Sequence, residues 1–120
     1  MKVYISGKIT GLDCWTYLKN FLVAEIYLRE QGCSAINPAE VNGCLPEDTT
    51  YEQYMQMSML MLSFCDAIYM LENWKDSPGA IRELEEAKKR GLKIMYQDLI
   101  QEERDRLKRL NEKGGGKCMT

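Results

Sequence analysis

The 120-residue sequence contains no histidine. That absence removes imidazole acid–base chemistry, histidine-based triads and histidine–metal sites together, so proton transfer or nucleophilic attack falls to carboxylates, Cys, Ser, Tyr or Lys. The five cysteines, Cys14, Cys33, Cys44, Cys65 and Cys118, are odd in number, widely spaced and without a CxxC pair. They suggest neither a zinc site nor a disulfide framework, and free thiols in a reducing cytoplasm are expected. No apolar stretch approaches the ~20 residues of a membrane span. The opening MKVYISGKITG reaches a Ser-Gly turn after a very short apolar run, so a secretory leader is not expected. An excess of one charge is missing too. The 16 Lys+Arg stand against 18 Asp+Glu, a net charge of −2, which argues against the basic face of a nucleic-acid binder. What is present is an ordinary globular balance, 45% hydrophobic and 28% charged, in a chain long enough for one domain with a real core.

Strand-like and helix-like patterns alternate. KVYIS (2–6) is a β-branched and aromatic run that stops at Gly7. From about 13 to 31, Trp15, Leu18, Phe21, Leu22, Ile26 and Leu28 recur at helical spacing, and Gly32 ends the pattern. CSAIN (33–37) is a second strand closed by Pro38. Residues 38–50 read as a loop rich in turn residues. Thr50 caps a helix over about 51–64, with Tyr51, Met55, Ser58, Met59 and Leu62 on one face. DAIYML (66–71) is a third strand. Ser77 and Pro78 start a helix running to about 90, LKIMY (92–96) is a fourth strand, and an amphipathic helix with Leu99, Ile100, Leu107 and Leu110 covers about 98–112. One domain over 1–112 is expected, with a flexible tail over 113–120. This order predicts an α/β fold, a parallel sheet in the order 2-1-3-4 with helices on both faces. Such sheets bind ligands at the carboxyl ends of their strands, where strand order reverses. The chain places Ser6-Gly7-Lys8 and the segment from Glu72 to Gly79 there.

Three features at that crevice can carry chemistry. In YISGKITG (4–11), Gly7 and Gly11 let the backbone approach a ligand, turn N–H groups around Ile9 can hold an anion, and Lys8 adds charge. The spacing is neither GxGxxG nor a Walker loop, and a turn that needs glycine for geometry alone explains it equally well. Ser77-Pro78-Gly79 at a helix N-terminus is a ready phosphate site, and is also simply a well-capped helix start. Glu83 lies six residues past the cap, too far to serve it. It falls on the border of the buried stripe Ala80, Leu84, Ala87 and Gly91, so it faces the crevice or solvent. A carboxylate in the crevice can attack a sugar carbon. Tyr4, Asn37, Asp66 and Trp74 are further candidates, Trp74 as a base-stacking or pocket-covering side chain.

Taken together, VYISGKITG (3–11), INPAE (36–40), YMQMSMLMLSFCDAIYML (54–71), NWKDSPGAIRELEEA (73–87) and GLKIMY (91–96) resemble the nucleoside 2-deoxyribosyltransferases and the related deoxynucleoside 5′-monophosphate N-hydrolases. Within that superfamily the chain is most similar to a small phage- and bacterium-associated branch. The resemblance implies a flavodoxin- or Rossmann-like three-layer sandwich and a carboxylate that attacks C1′ of a deoxyribosyl group. The family's GxxxELxxA pattern falls on Gly79 to Ala87 and makes Glu83 the nucleophile. Its first-strand tyrosine falls on Tyr4, which holds the nucleophile or the sugar. In the hydrolases the first-strand turn and a Ser-x-Gly hold the 5′-phosphate, matching Gly7 to Gly11 and Ser77-x-Gly79. Asn73, Trp74 and Asp76 are expected near the base or sugar. Three positions depart from the family. Ser58 stands where an aspartate is usual, Lys8 where the hydrolases carry a small polar residue, and Arg82 beside the nucleophile where relatives carry an aromatic or small residue.

The activity so implied is cleavage or exchange of an N-glycosidic bond on a deoxynucleoside or its 5′-monophosphate, with Asp76 or solvent protonating the leaving base. The competing reading is a catalytically weak nucleotide-binding or sensing module, favoured by Ser58. No metal or organic cofactor is implied. A homo-oligomer is expected, because enzymes of this group commonly build their sites at subunit interfaces and the sheet is short.

Overall fold

A computed structural model describes the backbone of residues 1–118 and the side chains of residues 1–112. Four parallel strands form its centre: β1 (Lys2–Ser6), β2 (Ser34–Ile36), β3 (Ala67–Met70) and β4 (Lys93–Tyr96), in the order β2-β1-β3-β4. Register sets Tyr4 opposite Ile36 on one side and Ile68 on the other, and Ile68 opposite Ile94. The central strands β1 and β3 are buried on both faces, as their near-continuous apolar sequences require. Every residue from Val3 to Ser6 and from Ala67 to Met70 is buried.

Helices cover both faces. On one side α1 (Cys14–Glu30) packs Phe21, Ala24 and Leu28 against Val3, Ile5, Ala67 and Tyr69. On the other, α3 (Tyr51–Leu62) and α4 (Pro78–Lys89) pack Met61, Leu62, Ala80, Leu84 and Ala87 against Tyr4, Ile68 and Met70. Side chains alternate across a strand, so Val3 and Ile5 serve the first core while Tyr4 and Ser6 point to the α3/α4 side. α5 (Leu99–Cys118) returns beside α1, where Asp105 accepts from the Tyr27 hydroxyl at 2.7 Å and Arg109 pairs with Glu30.

The caps explain the helix starts. Asp13 accepts from Thr16 N, Thr50 and Gln53 form a reciprocal capping box, and Ser77 accepts from Ala80 N with Pro78 in the first turn. The region expected to be loop contains a short helix, α2 (Pro38–Asn42), because the Asn37 side chain accepts from both Ala39 N and Glu40 N and Pro38 fits the first helical position. A 3₁₀ turn (Trp74–Asp76) precedes α4.

Two amphipathic readings are corrected. In α1, Trp15, Leu18, Leu22 and Ile26 are exposed rather than core; Phe21, Ala24 and Leu28 form the inward stripe. In α5, Leu99, Ile100, Leu107 and Leu110 are all exposed, while Glu102 is fully buried. The α5 helix continues to Cys118 rather than ending near 112, and the expectation of a flexible tail falls on residues whose side chains lie outside the described set. The described cysteines, Cys14, Cys33, Cys44 and Cys65, are free. Among the described residues no helix is long and apolar enough to cross a membrane, and no acidic or Cys cluster can hold a metal ion.

Candidate active site

The carboxyl ends of β1 and β3 open into a cavity of about 520 Å³, within the range of small-molecule sites. Its floor is a buried polar knot. From α4, Glu83 turns toward the sheet and is 7% exposed. The Tyr4 hydroxyl donates to Glu83 Oε2 at 2.6 Å and the Ser6 hydroxyl donates to Oε1 at 2.6 Å. Both carboxylate oxygens are thus gripped by alternate residues of one strand, which the pleat aims at the same helix. The Ser58 hydroxyl, buried on the inward face of α3, also acts on Tyr4 and Glu83.

The electrostatics follow from burial. Loss of water pushes the Glu83 carboxyl above its ordinary 4.5, and the hydroxyls of Ser6, Tyr4 and Ser58 pull it back. Burial, then the charge of Glu83 and the bond to it, push the Tyr4 phenol well above 10.0, with Ser58 opposing. Tyr4 therefore stays protonated and acts as a donor. The knot holds one carboxylate, oriented by hydroxyls, and among the described residues no cation pairs with it. Arg82, next in sequence to Glu83, points elsewhere. It pairs with Glu52 at 2.9 Å and lies over the Tyr51 ring at 5.6 Å, tying the start of α3 to α4.

Around this floor the cavity is lined by Gly7, Lys8 and Ile9 from the first loop and by Asp76, Ser77 and Gly79 from the start of α4. Gly7 is required by contact: an added Cβ would stand 2.5 Å from Leu71 Cδ1. At the start of α4, Pro78 has no N–H, and the Ala80 and Ile81 amides are bound by Ser77 Oγ and Ser77 O. Gly79 lines the cavity, and its N–H is left as a first-turn donor without a protein partner among the described residues.

Five residues singled out from sequence lie away from the cavity. Gly11, at φ +88, shapes the turn before α1. Asn37 caps α2 and donates to Glu25 at 3.1 Å. Asn73 accepts from Lys8 N at 3.0 Å, so it fixes the first loop rather than touching the cavity, and it borders a separate recess of about 380 Å³ beside α1. Trp74 packs on the α3/α4-side core, tilted against Tyr96 with ring centroids 5.9 Å apart. Asp66 accepts from Lys2 N at the opposite end of the sheet. The wall that sequence reasoning missed comes from α2 and the loop after it: Asn42, Leu45 and Glu47, with Tyr51 and Tyr54 of α3. Asn42 Oδ1 is buried there without a hydrogen-bond partner among the described residues. The turn residues of 38–50 hid this wall, since they carry no periodic signal; only the Asn37-Pro38 pair announces a helix start.

A family model described as a domain of unknown function, DUF4406, matches residues 1–96, and the chain belongs to that family. No curated protein matches the sequence. Among solved structures, the chain is similar to a 2-deoxyribosyltransferase from the psychrotolerant bacterium Bacillus psychrosaccharolyticus, described as a biocatalyst for the synthesis of antiviral and antitumoral nucleosides. The two are 21% identical over 80% of this chain and 71% of that chain, with a TM-score of 0.64. The likeness is one of fold.

Proposed function

We propose that the protein cleaves or exchanges the N-glycosidic bond of a deoxynucleoside or its 5′-monophosphate, with Glu83 as the nucleophile. The observation that carries this reading is the grip on Glu83: a buried carboxylate on a cavity floor, both oxygens held at 2.6 Å by the Tyr4 and Ser6 hydroxyls. A carboxylate so placed is oriented before substrate arrives, which lowers the barrier to attack. The likeness in fold to a 2-deoxyribosyltransferase supports the same chemistry.

In the proposed sequence a Glu83 oxygen attacks C1′, the C1′–N bond breaks, and its electron pair leaves on the base. Asp76, on the cavity wall, or solvent supplies the proton the base takes up. The glycosyl ester on Glu83 is then opened by water, giving hydrolysis, or by a second base, giving exchange. Either step returns Glu83 as a carboxylate. The sugar's 5′ end sits toward Lys8 and the Gly79 N–H, a cation and a helix-start donor suited to phosphate. The base sits toward the α2–α3 wall, where Asn42 offers an unpaired amide oxygen and Tyr51 and Tyr54 offer rings for stacking.

A chromatographic assay for free base tests this reading. Purified protein is incubated with each deoxynucleoside and deoxynucleoside 5′-monophosphate, with and without an acceptor base. Release that disappears in Glu83→Gln supports it. One observation favours a second reading: the α3 side chain that acts on Glu83 is Ser58, a hydroxyl and not a carboxylate. A nucleotide that raises thermal stability and is not turned over would make the protein a binding module.

A further inference from the structure

The outer side of the α1/α5 layer carries large apolar side chains that the fold leaves bare. On α1 these are Trp15, Leu18, Leu22 and Ile26, between 39% and 81% exposed. They sit at helical spacing on one stripe, turned away from the core stripe of Phe21, Ala24 and Leu28. On α5 they are Ile100, Leu107 and Leu110, between 52% and 67% exposed. The inner face of α5 is polar instead. Glu102 takes the Tyr69 hydroxyl at 2.5 Å and the Gln97 amide at 3.1 Å, and Asp105 takes Tyr27. A helix that docks by hydrogen bonds and shows its leucines and isoleucine outward is inverted relative to a surface helix of a monomer.

We infer that this layer is an interface with a second copy of the chain, in which α5 lies antiparallel to the partner's α5 across a two-fold axis. Area and charge both argue for that occupant. The seven side chains expose roughly 700 Å², close to the ~800 Å² that each partner gives to a standard interface. It exceeds the few hundred Å² of a typical monomer's largest apolar patch. Between Ile100 and Leu107, Glu103 and Arg104 stand side by side on α5, both exposed. In an antiparallel pair that order lays the acidic residue of each helix against the basic residue of the other. A register that sets Ile100 against the partner's Leu107 sets Glu103 against the partner's Arg104, because both pairs are symmetric about the same point of the helix. A two-fold repeats each pair, giving two apolar contacts around two ion pairs.

The test is the molar mass in solution by light scattering, which needs no substrate and so stands apart from any result on activity. At micromolar concentration the wild-type chain is expected at twice its 13.9 kDa mass. The double variant Ile100→Glu/Leu107→Glu is expected as a folded monomer, because both side chains are more than half exposed and the fold does not use them. Arg104→Glu is expected to weaken the dimer at least tenfold, and adding Glu103→Arg to it to restore most of the affinity by reversing both charges. A monomeric wild type overturns the inference, as does a double variant that stays dimeric. A charge swap that restores nothing overturns the antiparallel register.

Discussion

The Tyr4→Phe variant isolates the grip on Glu83. It removes one oxygen atom and leaves a ring of the same shape in the core, where Tyr4 is completely buried. What is lost is the 2.6 Å bond to Glu83 Oε2. A hydrogen bond to a charged group contributes about 1.5–3 kcal/mol, and one between neutral groups about 0.5–1.5 kcal/mol. Where Glu83 is ionised the variant should therefore be less stable than wild type by about 2 kcal/mol, and where Glu83 is protonated by about 1 kcal/mol. Since the bond favours the charged form, its loss raises the Glu83 carboxyl further, and the cost must grow with pH across that titration. Urea unfolding of both proteins from below pH 4.5 to above neutrality measures it. A cost that is the same at both ends, or under about 0.5 kcal/mol throughout, would mean that Tyr4 does not hold a carboxylate, and the grip would be refuted.

Three further outcomes are expected. Glu83 is raised by burial in the folded chain, so the native state keeps its proton after the unfolded chain has lost it; wild-type stability should fall as pH climbs from 4.5 through the raised value, then level off, whereas Glu83→Gln should show no such fall. The acid limb of any base-release activity should move to higher pH in Ser58→Ala, because the Ser58 hydroxyl helps keep Glu83 ionised; an unmoved limb would remove Ser58 from the knot. Gly7→Ala should cost about 1–3 kcal/mol, as its Cβ would meet three side-chain atoms of the buried Leu71 at 2.5–2.9 Å. Thermal melting reads that cost, and a melting point equal to wild type would mean the loop has room to shift.

The parallel sheet and its order were legible because β1 and β3 are continuous apolar runs separated by helix-length segments. Glu83 was legible only as a border residue. Helical periodicity places Ala80, Leu84 and Ala87 inward, but it cannot say that the strand beneath offers Tyr4 and Ser6 hydroxyls. That follows once β1 is given its pleat. Asn37 and Asn73 are polar residues at chain bends, and local pattern does not separate a ligand contact from a cap or a loop tie; the structure gives them the second kind of work. The inward face of α5 was illegible for a related reason. Tyr69, Glu102, Gln97 and Asp105 are buried or half-buried through hydrogen bonds, and hydrophobic periodicity counts such residues as solvent-facing.

The central proposal is that Glu83 forms a covalent bond to C1′. Rapid mixing of the protein with a deoxynucleoside or deoxynucleoside 5′-monophosphate that it turns over, followed by acid quench, digestion and mass spectrometry, tests this most directly. The expected result is a deoxyribosyl adduct on the peptide that carries Glu83, lost when an acceptor base is added and absent in Glu83→Gln. Base release that persists in Glu83→Gln, with no adduct in either protein, would contradict it.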